Sequence, residues 1–242
     1  MSHSLSPEEL SALVKLLDME AKYRLDHRIM HRFLSVGTLK KLHTHEPMID
    51  AGVLDTNIYI VKSGLIRGTF MDGNLEKTAG FALPGTMMFS FHCFYANEPS
   101  YYRFEACCPT ELFVISKSHY DRMIAESHEF TQWILSMAQN QCYYNEHRSL
   151  LLSGDAKTRL IQLTNRLSTA FQSPETEVRA NVSIDKKGHD ALVKNEVRTR
   201  WKKIFRIVPS RMIASYLGIT EQHLSKIKKE LLSDSGDASA QY

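Results

Sequence analysis

The chain reads as an α+β protein: an N-terminal antiparallel β-barrel of jelly-roll type, a long helix, and a C-terminal helical domain ending in a helix-turn-helix. Three observations predict this order. Short β-branched and aromatic runs punctuated by turn residues fill Gly37–Ser116. A helical spacing then runs over Glu129–Leu152. Finally, Pro209–Leu231 holds two short amphipathic segments around a glycine.

In order along the chain, Ser6-Pro7-Glu8-Glu9 opens a first helix, with serine as N-cap, proline at the first helical position and acids in the first turn. Leu10, Leu13, Leu16 and Leu17 continue it at helical spacing, and Asp26–Leu34 predicts a second helix. Five strands are predicted from Ile58-Tyr59-Ile60-Val61, Leu65–Met71, Thr78–Leu83, Tyr101–Cys107 and Glu111–Ile115. Asp72-Gly73-Asn74 between the second and third of these is a hairpin signal. Helical spacing returns at Ser118–Glu126 and again over Glu129–Leu152. There Phe130, Ile134, Met137, Gln141, Tyr144, Arg148 and Leu151 step by alternating fours and threes, the spacing of a two-helix seam. A further helix is expected over Asp155–Arg166. Leu167–Thr199 is polar and poorly patterned and reads as a long insertion, and Arg200–Ile207 is helical again. The domains expected are therefore a β-barrel over 1–125, a dimerisation helix over 126–154, and a helix-turn-helix domain over 155–242 with its insertion at 167–199.

The composition is that of an ordinary globular protein: 242 residues, 43% hydrophobic, 24% charged and a mean hydropathy of −0.29. No stretch approaches a membrane span and the N-terminus does not pattern as a signal peptide, so a cytoplasmic protein without membrane contact is expected. Cys93, Cys107, Cys108 and Cys142 match no metal or redox spacing; no metal site is expected and the thiols read as free. No nucleophile–base motif or phosphate loop occurs, which predicts no catalytic residues and no enzyme. Charge is distributed unevenly. Residues 1–155 hold 14 Lys/Arg against 18 Asp/Glu, whereas residues 156–230 hold 16 against 7. A basic C-terminal third on an acidic body is the footprint of a nucleic-acid partner.

The motif that gives this charge a purpose is Pro209–Leu231. Ile213, Ala214 and Leu217 share one face of the first helix, Gly218 suits a left-handed turn, and Thr220 can N-cap the second helix. Leu224, Ile227 and Leu231 form that helix's inward stripe, leaving Glu221, Gln222, Ser225, Lys226 and Lys229 outward. Glutamine can bridge adenine, glutamate can accept from cytosine, and lysine can reach guanine or phosphate. Arg211, Lys202, Lys203, Arg206 and Lys228 can neutralise phosphates around it. Double-stranded DNA is the partner these residues predict.

The order of helix, barrel, long helix and helix-turn-helix resembles the CRP/FNR family of transcription regulators, and Ile213-Ala214-Ser215-Tyr216-Leu217-Gly218-Ile219-Thr220 looks like that family's helix-turn-helix core. The resemblance covers residues 20–232 apart from 167–199. It implies a cyclic-nucleotide-binding-like barrel and a homodimer joined along the long helix, reading a palindromic operator. It also maps the family's base contacts onto Glu221, Gln222 and Lys226, and admits RNA polymerase as a further partner. The family's cyclic-nucleotide site is degenerate here. Its Gly-Glu pair falls on Phe89-Ser90, and its phosphate-binding arginine falls on Ser100, followed by Tyr101. Without that cation, cyclic AMP is not expected, and no other cofactor is predicted. Phe89, Ser90, Phe91, Ser100, Tyr101 and Tyr144 are the candidate pocket for a different, less charged effector, within an aromatic-rich stretch that could equally fill itself. A small-ligand sensor, or a cyclic-nucleotide-binding protein whose DNA-binding end is secondary, is the rival reading.

Overall fold

The computed structural model describes residues 6–20, 23–169, 199 and 201–233. Most of the predicted insertion, residues 170–198, and the side chain of Tyr144 lie outside the described residues. The chain divides into two compact units, Met1–Leu150 and Leu151–Tyr242.

The first unit opens with α1 (Pro7–Glu20). Ser6 Oγ accepts the Glu9 N–H at 3.2 Å while the Glu9 carboxylate accepts the Ser6 N–H at 3.0 Å, so two orphan donors of the first turn are satisfied reciprocally. Helix α2 (His27–Leu34) is capped by Asp26, which accepts the Arg28 N–H at 2.8 Å. Eight strands follow: β1 (Thr38–Leu42), β2 (Pro47–Ile49), β3 (Ile58–Ser63), β4 (Ile66–Asp72), β5 (Leu75–Ala82), β6 (Met87–Met88), β7 (Arg103–Ala106) and β8 (Thr110–Ile115). They pair antiparallel as two four-stranded sheets, in the orders β1-β8-β3-β6 and β2-β7-β4-β5. The chain passes from one sheet to the other at Gly64, whose φ of +92° and missing Cβ are both required. A Cβ there would lie 2.4 Å from Thr110 Oγ1 and 2.7 Å from the Pro109 carbonyl oxygen. Then come α3 (Lys117–Glu126) and the long α4 (His128–Ser153).

The apolar run in β3 is explained by burial on both faces. Ile58 and Ile60 join a core with Leu13, Val14 and Leu17 of α1, Met30, Phe33 and Leu34 of α2, and Phe130 and Trp133 of α4. Tyr59 and Val61 join a second core with Met48, Ile49, Ile66, Ala106 and Leu112, drawn from both sheets. Each large side chain so buried contributes roughly 1.5–3 kcal/mol of transfer free energy. The predicted seam residue Phe130 is thus fully enclosed in its own unit, with its ring 4.8 Å from Phe33, and Trp133 beside it is equally buried. Further along, Leu135 and Tyr143 are half exposed.

The second unit contains α5 (Ala156–Thr169), a helix α6 over residues 201–207, α7 (Ser210–Leu217) and α8 (Glu221–Ser233). Asp155 caps α5, accepting the Lys157 and Thr158 N–H groups at 2.9 and 3.0 Å and the Thr158 hydroxyl at 2.6 Å. The Thr158 bonds and the Lys157 N–H hold its carboxyl below the usual aspartate range. Helix α5 runs three residues past Arg166, where the sequence pattern places its end. The reason is that Leu167 extends the buried stripe of Leu160 and Leu163 by one more turn.

Candidate nucleic-acid interface and the aromatic loop

Helices α7 and α8 meet at a corner built from backbone chemistry. Gly218 adopts φ +66°, ψ +35°, and with Ile219 it returns N–H groups to the carbonyls of Ser215 and Ala214 at 3.2 and 3.0 Å, closing α7. A guanidinium N–H of Arg159 on α5 donates to the last α7 carbonyl, that of Leu217, at 2.8 Å. Thr220 then starts α8: its hydroxyl accepts the His223 N–H at 3.1 Å and its carbonyl the Leu224 N–H at 3.0 Å. Ala214 is buried at the contact, and Leu224 and Ile227 are buried beneath α8.

This geometry fixes the other face. Glu221, Gln222, Ser225, Lys226 and Lys229 are all exposed and line one open hollow along α8. Arg211, Lys202 and Arg206 are exposed on the neighbouring helices of the same unit. Lys228 is placed differently from the phosphate-neutralising role its sequence position suggests. Its ammonium sits 3.5 Å from the centroid of the Phe205 ring, and desolvation holds its pKa below the ordinary lysine value. It braces α8 against α6.

The stretch expected to line an effector pocket behaves otherwise. After β6 the chain makes a π-helical turn, His92–Ala96, ended by Asn97 with a φ of +54°. This turn sends neighbouring side chains in opposite directions. Cys93 and Phe94 are 1% and 3% exposed, whereas Phe91 and Tyr95 are 60% and 65% exposed. Phe89 is half-buried, its ring 4.5 Å from Phe94 and 4.9 Å from Phe91. Ser90 and Ser100 are buried. The Ser100 hydroxyl donates to the Tyr102 carbonyl at 2.7 Å, and Ser90 Oγ has no partner. Tyr101 is more than half exposed and leans on Phe70, Tyr102 and His92. The five candidate pocket residues whose side chains are described therefore do not converge. Two serines lie inside, two aromatic rings lie outside, and Phe89 lies between.

Sequence reasoning missed the partners of two cations on β4 and β7. Arg67 on β4 is 4% exposed and donates to Thr78 at 3.0 Å, Glu105 at 3.1 Å and Glu76 at 2.6 Å. Arg103 pairs with Glu105 at 3.3 Å and with Asp50. Both guanidinium groups are spent on carboxylates. A signal existed: Arg67, Glu76, Arg103 and Glu105 all lie on predicted strands or their hairpin, but strand register decides which of them meet. Burial pushes the Cys107 thiol up to about 12, and Cys93, Cys107, Cys108 and Cys142 are all free. Among the described residues no group of three or more His, Cys, Asp or Glu is arranged to hold a metal ion, and no helix is long and apolar enough to cross a membrane.

No protein-family profile matches the sequence, and a comparison with curated proteins gives no match. Solved structures do match. FixK2 of Bradyrhizobium japonicum superposes with a TM-score of 0.55 at 16% identity, covering 85% of this chain and 90% of its own. The c-di-GMP-responsive global regulator CLP of Xanthomonas campestris gives 0.57 at 15% identity, covering 86% and 93%. The chain has a CRP/FNR-like fold: a β-sheet domain followed by helices.

Proposed function

We infer that the chain is a DNA-binding transcription regulator that dimerises along α4 and reads a palindromic operator with α8. The observation carrying this reading is the division of α8. Its apolar stripe is buried under α7, and its polar side, Gln222 and Lys226 included, stands open. In this reading α7 and α8 are a helix-turn-helix, Glu221, Gln222 and Lys226 contact base edges, and Arg211, Thr220, Ser225 and Lys229 position the backbone. The dimer rests on α4, where Leu135 and Tyr143, outside the seam that the sequence spacing marks, lie half exposed to receive a second copy. The reading gives the protein no catalytic role and no membrane contact, places it in the cytoplasm, and adds RNA polymerase as a partner at the promoter.

It also excludes cyclic AMP as the effector. The phosphate would need a cation, and the nearest one in sequence, Arg103, is committed to Asp50 and Glu105. Calorimetry with cyclic AMP and cyclic GMP is expected to register no heat; a saturable isotherm with either overturns this point. The rival reading, a small-ligand sensor, draws on the buried, unpartnered Ser90 hydroxyl.

Selection of bound sequences from random duplex DNA tests the main reading. The expected product is a two-fold symmetric motif with half-sites one helical turn apart, bound with strong salt dependence. Absence of any enriched motif sinks it.

A further inference from the structure

We propose that the outward face of α2, extended by Arg122 of α3, is a docking surface for an acidic segment of a partner protein. This goes beyond DNA reading and does not depend on it. Helix α2 has eight residues, and its periodicity sorts them cleanly. Met30, Phe33 and Leu34 are buried, while His27, Arg28, His31 and Arg32 occupy one continuous exposed stripe. Arg24 lies exposed just before the helix. This concentration stands out because the first 155 residues carry more acids than bases.

The acids close to the stripe each offset one of its arginines, leaving Arg24 and Arg122 as the charge in excess. Asp26 accepts the Arg28 N–H in capping α2, with the Arg28 guanidinium 3.5 Å away, and Glu126 of α3 pairs with Arg32. The cations of the two helices reach one place. Arg122 lies one helical turn before Glu126, the residue that pairs with Arg32, and its charge adds to desolvation in holding the buried His119 imidazole below the ordinary histidine value. Locally the surface is positive, and its complement is an anion.

The form of the face selects a protein over other polyanions. At 1.5 Å per residue, α2 presents a patch about 12 Å long, short for a phosphate backbone. Exposed apolar side chains flank it, Tyr23 at 41% and Val36 at 53%. A peptide can use carboxylates and apolar contacts together, whereas a phosphate backbone uses only the charge. A membrane is disfavoured because the apolar side of α2 is consumed by the core and none is left to insert.

The test titrates a short Asp/Glu-rich peptide, fluorescently labelled, into the full chain, and maps the bound state by amide hydrogen exchange. The expected footprint covers residues 24–32 and the neighbourhood of Arg122. The double substitution Arg28→Glu/His31→Glu weakens peptide binding by about tenfold, and Arg28→Gln/His31→Gln by less, since opposed charge costs more than lost charge. Both pairs are solvent-facing, so melting temperatures stay at the parental value, as does affinity for selected operator DNA. Equal peptide binding by parent and variants, or a footprint confined to the second unit, overturns the proposal. So does loss of non-operator duplex binding in the variants without any peptide effect, which reassigns the face to nucleic acid.

Discussion

The helix beginning at Glu221 and the loop beginning at Phe89 are both rich in side chains suited to binding, yet the fold treats them in opposite ways. In α8 one period governs every residue, so Leu224 and Ile227 go in and Gln222 and Lys226 stay out together. In the loop a π-helical turn breaks any simple period, and adjacent residues part company: Phe91 outside, Cys93 and Phe94 inside. A collection of useful residues becomes a surface only when a regular backbone aligns them.

Substitutions can sharpen this contrast, and the largest effect is expected inside the loop. Phe94→Ala should cost about 3–5 kcal/mol by leaving a cavity against Phe89 and Tyr120, read as a lowered denaturation midpoint. Gly218→Val forces a β-branched residue to φ +66° and should cost about 1–3 kcal/mol. Since open space surrounds that position, the cost is backbone strain alone, and Gly218→Asn should recover much of it. Lys226→Ala should leave melting unchanged while weakening operator binding by about 1–3 kcal/mol, measured by titration at fixed salt. An unchanged affinity would remove Lys226 from the interface.

A smaller effect concerns how the loop's own unit responds to acid. Lys62 bonds to Glu9 at 2.7 Å and, with the Ser6 N–H, holds the Glu9 carboxyl down at about 2, below its ordinary 4.5. That contribution is complete above about 4.5 and fades as the pH falls through about 2. Glu9→Gln should flatten the acid limb of the first unit's stability curve. An unaltered slope would show the bridge to be idle, as exposed bridges often are. Smallest of all, Phe91→Ala should shift stability by no more than about 0.5 kcal/mol despite lying three residues from Phe94. A large loss there would mean that Phe91 is covered in solution.

How much of this was legible beforehand depends on the length of the local pattern. Long periodic segments were readable: α4, α7 and α8 lie within a residue or two of where the spacing puts them. Strands β1, β2 and β6 were not foreseen, because Thr-Leu-Lys-Lys-Leu has two adjacent lysines at its centre and the other two hold three and two residues. The alternating spacing in α4 marked an apolar edge but could not say what covers it. Phe130 turns out to face its own β-domain. The end of α5 could have been read better, since Leu167 keeps the step set by Leu160 and Leu163. For the loop no spacing existed to read, and the opposite fates of Ser90 and Phe91 arise from tertiary packing.

The bond from Arg159 to the Leu217 carbonyl has a mechanical side. It clamps the start of α5 to the spot where α7 gives way to the corner, and only Gly218, Ile219 and Thr220 separate that clamp from α8. With so short and so fully hydrogen-bonded a joint there is little slack to absorb a tilt. A rotation imposed on α5 would be delivered to the tip of α8 as a change of aim, in the manner of a lever pivoting on its pin.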